Sequence, residues 1–163
     1  MIFKHFCAAA VTTVFLAVSV QAQTSISLGG VAVDTSAALE VAADSLAVDQ
    51  ATGRAVFSGD VLVQQGDLRL TAGRVEVVYA EATGQIAQLI AEGGVTFATA
   101  SEAAEAQSAR YDLETGLLTM TGDVLLTQGN SAISAETMVI NVATGTAEMQ
   151  GRVRTILQQG DGG

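Results

Sequence analysis

Thr-Gly pairs return in register along this 163-residue chain, and no other feature constrains its fold so tightly. Four of them, Thr52-Gly53, Thr83-Gly84, Thr115-Gly116 and Thr144-Gly145, stand 31, 32 and 29 residues apart; a fifth, Thr121-Gly122, lies outside the period. A short run then ends in Gly-x-Val each time: Gly59-Asp60-Val61, Gly93-Gly94-Val95, Gly122-Asp123-Val124 and Gly151-Arg152-Val153. At an offset of 63, Ser45, Asp49, Thr52-Gly53, Gly59-Asp60-Val61-Leu62, Gln65-Gly66 and Ala72 recur as Ser108, Asp112, Thr115-Gly116, Gly122-Asp123-Val124-Leu125, Gln128-Gly129 and Ala135. The chain therefore reads as two copies of a larger unit, each built from two units of roughly 30 residues that bury an apolar face by stacking on their neighbours.

Three of the periodic pairs sit in Asp/Asn-x-x-Thr-Gly, at Asp49, Asp112 and Asn141. A side-chain oxygen there closes an Asx-type turn, and the glycine supplies the positive φ of a bulged hairpin loop. The flanking residues alternate with period two, the signature of strands with one buried face. Ala55, Phe57, Gly59, Val61 and Val63 share a parity, as do Leu68, Leu70 and Ala72, then Val75, Val77 and Tyr79. Ala87, Leu89, Ala91, Val95 and Phe97 follow, then Leu118, Met120, Val124 and Leu126, then Met138, Ile140 and Val142, and last Ala147, Met149, Gly151 and Val153. This predicts an all-β chain of about a dozen short strands. Residues 100–107 are rich in helix formers, but the offset of 63 aligns them with residues 37–44, which lead into a strand; a loop entering a strand is favoured over a helix there.

Before the repeats, Lys4 and His5 precede an apolar run from Phe6 to Val20, and Val20-Gln21-Ala22 offers a small-residue cleavage site. The run is shorter than the roughly 20 residues of a spanning helix, which favours a cleaved export signal over a retained anchor. Cys7 comes too early for lipoprotein processing. The expected organisation is a signal peptide at 1–22, a lead-in at 23–40, a β domain at 41–157 and a polar, Gly-rich disordered tail at 158–163.

Beyond Ala22 there is no lysine, histidine, cysteine, tryptophan or proline. Most general bases and strong nucleophiles and any Cys/His zinc site are thereby missing, with paired carboxylates left possible in principle, so the expectation is a protein that is not an enzyme and has no catalytic residue, metal or cofactor. A serine nucleophile has no histidine to activate it. Asp60 and Asp123, at equivalent repeat positions beside turn glycines, read as structural. No EF-hand loop or calcium-repeat nonapeptide is present, which weakens calcium without removing it. Six arginines face seventeen acidic residues, a balance that argues against nucleic acid and anionic membrane surfaces.

Inward positions of a stacked β repeat form a continuous apolar interior. Its candidate lining is Phe57, Val61, Val63, Leu70, Val77, Leu89, Phe97, Met120, Val124, Leu126, Met138 and Ile140. The bland alternative is a packed core. Interspersed small residues, among them Ala55, Gly59, Ala72, Ala91 and Ala135, leave room for an extended apolar ligand, and each methylene buried contributes about 0.8 kcal/mol. Methionine suits an adaptable lining but also serves as ordinary filler.

From about Val41 to Leu157 the order and spacing of these short motifs resemble the OstA-type β-jellyroll domain of LptA-like lipopolysaccharide-transport proteins. Ala43-Asp44-Ser45-Leu46, Gly59-Asp60-Val61, Leu70-Thr71-Ala72, Ile90-Ala91-Glu92-Gly93-Gly94-Val95, Gly122-Asp123-Val124 and Ile133-Ser134-Ala135-Glu136 carry the resemblance. It implies a twisted open jellyroll in the periplasm that shields lipopolysaccharide acyl chains. It also implies end-to-end homo-oligomers bridging an inner-membrane LptC-like partner and an outer-membrane LptD-like one. Because the acidic chain repels lipid phosphates, acyl burial has to dominate, with Arg74, Arg110 or another arginine at the rim as the phosphate contact; whether a divalent cation assists is left open. The competing functions are a structural β-repeat scaffold of the envelope that binds no lipid and, with only four aromatic residues beyond the signal, a weakly supported carbohydrate-active repeat.

Overall fold

The computed structural model describes residues 24–27 and 34–157; the expected signal peptide and tail lie outside these. Among the described residues there are eleven β-strands and no helix. They are β1 (Thr24–Ser27), β2 (Leu39–Ala42), β3 (Ser45–Asp49), β4 (Arg54–Gln65), β5 (Leu68–Tyr79), β6 (Ile86–Ala98), β7 (Glu102–Asp112), β8 (Leu117–Gln128), β9 (Ser131–Asn141), β10 (Thr146–Gln150) and β11 (Arg154–Leu157). All pair antiparallel in one open sheet of order β1-β10-β9-β8-β7-β6-β5-β4-β2, with β3 also on β4 and β11 also on β9. The fold class is the expected all-β open jellyroll. Residues 102–107 are already part of β7, so the segment expected to be a loop entering a strand is neither helix nor loop beyond residue 101, and β1 and β2 carry the sheet back into the segment read as a lead-in.

The turns form as their sequences dictate. The Asp49 carboxylate accepts from the backbone N–H groups of Ala51 (2.9 Å) and Thr52 (3.3 Å), and Asn141 Oδ1 accepts from those of Ala143 and Thr144, both at 3.1 Å. Asp112 accepts from the N–H and the hydroxyl of Thr115, each at 2.9 Å. These bonds hold both aspartates below the usual carboxylate range, through the Thr52 side chain first for Asp49 and the Thr115 N–H first for Asp112.

The Gly-x-Val steps are not turns. The first three fall in mid-strand, where every long strand pair loses register at the same level, and Gly151-Arg152-Val153 lies between β10 and β11. Between β4 and β5 the register jumps from Ser58↔Arg74 to Val61↔Ala72, so Gly59 and Asp60 oppose Gly73 alone. The same two-against-one bulge sets Gly93-Gly94 and Gly122-Asp123 against Gln107, and Gly122-Asp123 against Glu136. Asp60, Asp123 and Arg152 take left-handed φ values of 42°, 47° and 44° beside glycines at 81°, 89° and 80°. A bulge bends its strand and strengthens the local twist. Aligned across the sheet, the bulges make one crease that divides it into two arms. The first arm carries the Thr-Gly turns, and the second carries the turns at Gly66, residues 99–101 and Gly129.

Both arms keep their apolar side inward. Buried residues step by four through the bulged strands (Ala91 to Val95, Met120 to Val124) and by three through their partners (Ala72 to Val75, Ala106 to Ala109, Ala135 to Met138). The arms thus enclose one contiguous core. Tyr79 and Val153, assigned by parity to the inward set, are 39% and 42% exposed, since each lies at or beyond a strand end.

Candidate functional site

The twelve candidate lining residues all fall on the inward side, six in each arm. Strand pairing sets them in rows that cross the sheet, because directly opposed residues share a face. One row of the second arm runs Val41, Val63, Leu70, Phe97, Ala104, Leu126, Ile133. In the first arm, Leu46, Phe57, Val75, Ala91, Ala109, Met120, Met138 and Met149 form one row. A second runs Val48, Ala55, Val77, Leu89, Tyr111, Leu118, Ile140, Ala147. Along the middle of these rows the side chains are packed: apart from Phe57, the twelve are no more than 4% exposed.

At β3 the rows run out into solvent. Leu46 is 55% and Val48 64% exposed, and Phe57 beside Leu46 is only half-buried. The first arm therefore ends in an apolar lip on the inward face of an edge strand. Arg74 and Arg110 lie elsewhere. They are opposed in register to Ser58, Glu92, Ile90 and Thr119, on the outer face of the first arm. Arg74 lies 3.7 Å from Glu76, which Arg54 engages at 2.7 Å. Arg110 borders a shallow outer depression with Ile90, Glu92, Ser108, Thr119 and Thr121. The structure thus gathers the apolar residues and places these two arginines on the opposite side of the sheet.

Three buried polar residues escaped sequence reasoning. Tyr111 (3% exposed) donates its hydroxyl to Gln65 Oε1 at 3.0 Å, and the Gln65 amide donates to the carbonyls of Thr35 and Ala37 at 3.1 and 3.2 Å. Burial pushes the Tyr111 hydroxyl upward in pKa, so it remains a donor. Glu102 is 4% exposed and accepts from the Thr99 and Ser101 hydroxyls at 2.7 and 2.6 Å and from Gln128 Nε2 at 3.1 Å. The offset of 63 held the clue: Tyr111 matches Val48 and Glu102 matches Leu39, so both occupy positions where the first copy is apolar. Among the described residues no three His, Cys, Asp or Glu side chains cluster to hold a metal.

An antiparallel sheet creased over an apolar interior, with an exposed apolar lip at one edge, defines an open β-jellyroll. Comparison with known proteins agrees. Residues 40–146 match the family described as LptA/(LptD N-terminal domain) LPS transport protein, and the chain belongs to that family, whose members are transport proteins and not enzymes. A similar solved structure is that of LptH from Pseudomonas aeruginosa, the LptA-homologous periplasmic component of the lipopolysaccharide transport device. It shares 19% identity over 77% of this chain and 99% of that one, with a TM-score of 0.69. No curated protein matches the sequence.

Proposed function

We propose that this protein is a periplasmic carrier of lipopolysaccharide that takes acyl chains between its two arms and leaves the sugars in water. The observation that carries the reading is the continuity of the apolar rows: they pass from the packed interior to exposed Leu46 and Val48, so a hydrocarbon chain can begin at the lip and proceed inward without crossing a polar barrier. Each methylene buried on the way contributes about 0.8 kcal/mol. Acyl chains replace packing within the core that Leu89, Met120 and Ile140 of one arm share with Val63, Phe97 and Leu126 of the other, and the methionines adapt to the change. Arg74 and Arg110, on the outer face, are the groups offered to lipid phosphates. Among the described residues no further strand covers the outer edges of β2 and β3 at one end or of β1 and β11 at the other, and these edges suit strand addition by a further copy, by an LptC-like partner or by an LptD-like one.

Site-specific photo-crosslinking tests the carrier role. Probes at Phe57, Leu89 and Leu126 should capture lipopolysaccharide in cells, whereas one at outward Leu62 should not; the reverse pattern sinks the proposal. A second reading, a lipid-free scaffold, draws on the near-complete burial of the lining. Native mass spectrometry of protein purified from the periplasm separates the two, because a scaffold yields assemblies without lipid mass.

A further inference from the structure

The interior is packed shut, yet a carrier has to open it, and the side-chain hydrogen bond between Tyr111 and Gln65 marks where. Tyr111 belongs to β7 in the first arm and Gln65 to β4 in the second, three strands away in the sheet and far from the crease in both. Their bond therefore ties the free ends of the two arms, where a hinge at the crease gives the largest separation. Gln65 uses both of its N–H donors, which reach Thr35 and Ala37 in the segment before β2, and its carbonyl takes the tyrosine hydroxyl. One side chain thus holds three parts of the chain together, with Gln65 and Tyr111 only 5% and 3% exposed.

We infer that Tyr111, Gln65 and the backbone of residues 35–37 form a latch that keeps the arms closed in the empty protein and releases to admit an acyl chain, an inference that rests on the carrier reading. Apolar contacts between arms can be exchanged for hydrocarbon at little net cost. The latch cannot, because parting the arms strips buried polar groups of their partners until water arrives. It acts as a threshold: an occupant must bury enough hydrocarbon to offset it, which favours a long-chain amphiphile over a short one.

The test places a cysteine inside the first arm, Leu89→Cys, in a chain carrying Cys7→Ser, and follows its alkylation by a small maleimide without denaturant and in low urea. Adding Tyr111→Phe or Gln65→Leu should speed alkylation about fivefold, the factor expected when a buried hydrogen bond is lost. The rate should rise with urea less steeply than global unfolding, as parting the arms exposes only part of the surface that unfolding does. The same variants should take up purified lipopolysaccharide faster. Unchanged alkylation, or alkylation with the full urea dependence of global unfolding, overturns the latch. Faster alkylation with lipopolysaccharide uptake equal to the parent overturns it as an entry gate. Faster alkylation with uptake by no variant and no parent leaves the latch standing and removes the carrier reading.

Discussion

Replacing Gly122 by alanine tests whether the crease is set by backbone sterics. Gly122 has φ 89°, and a Cβ there would lie 2.8 Å from Gln107 Cδ and 2.9 Å from Gln107 Cβ. Left-handed backbone costs a non-glycine residue about 1–2 kcal/mol. Overpacking against a neighbour adds roughly 1–3 kcal/mol, and since the Gln107 Cβ sits on a paired strand it cannot swing aside. The sum is about 2–5 kcal/mol. Gly53 in the first Thr-Gly turn is the control: its φ is 61° and no atom lies within 4 Å of an added Cβ, so Gly53→Ala should lose only the backbone part, about 1–2 kcal/mol. Urea unfolding of both variants measures the difference, with the slope expected to hold constant. Gln107→Gly in the Gly122→Ala background should restore part of the loss, whereas Gln107→Ala, which keeps the offending Cβ, should restore less. Equal destabilisation by Gly122→Ala and Gly53→Ala would refute the steric account of the crease.

Phe97 is fully buried in the second arm, and its truncation to alanine should cost about 3–5 kcal/mol, while Met120→Leu, conserving volume, should cost less than about 1.5 kcal/mol; thermal unfolding distinguishes them. The turn aspartates give an acid limb. Because Asp49 and Asp112 are held below their unfolded values, their contribution is present above about pH 4 and fades as pH falls through the folded values. Asp49→Asn with Asp112→Asn keeps the Oδ1 acceptor, as Asn141 does, and should flatten stability against pH below about 4 without altering it near neutrality.

Much of this architecture was legible because a strand writes its buried face into every second residue. Ala55, Val61, Leu70, Val77, Leu118 and Ile140 could be assigned inward before any coordinates. The crease was hidden for a local reason. The two bulged residues keep the parity of their own strand, so Phe57-Gly59-Val61 reads like an unbroken strand, and only the three-residue steps in the partner strands, such as Ala72 to Val75, disclose the bulge. Leu46 and Val48 alternate just as buried residues do; whether an arm covers them depends on how the two layers overlap, which periodicity does not encode. The Tyr111–Gln65 bond joins residues 46 apart and had no local signal. The resemblance pointed to lipopolysaccharide and to two phosphate-binding arginines, but the register puts Arg74 and Arg110 on the face away from the apolar rows.

The bend is distributed, since each long strand carries its own share and no single hinge residue holds the two arms at their angle. Cross-section and length are therefore independent variables of this architecture. Inserting or deleting one hairpin changes the enclosed trough by about 10 Å, two strand spacings, and leaves its width untouched. A lineage can thus tailor how many chains such a trough accommodates by duplicating a stretch of sequence, as the offset of 63 suggests has already happened once here.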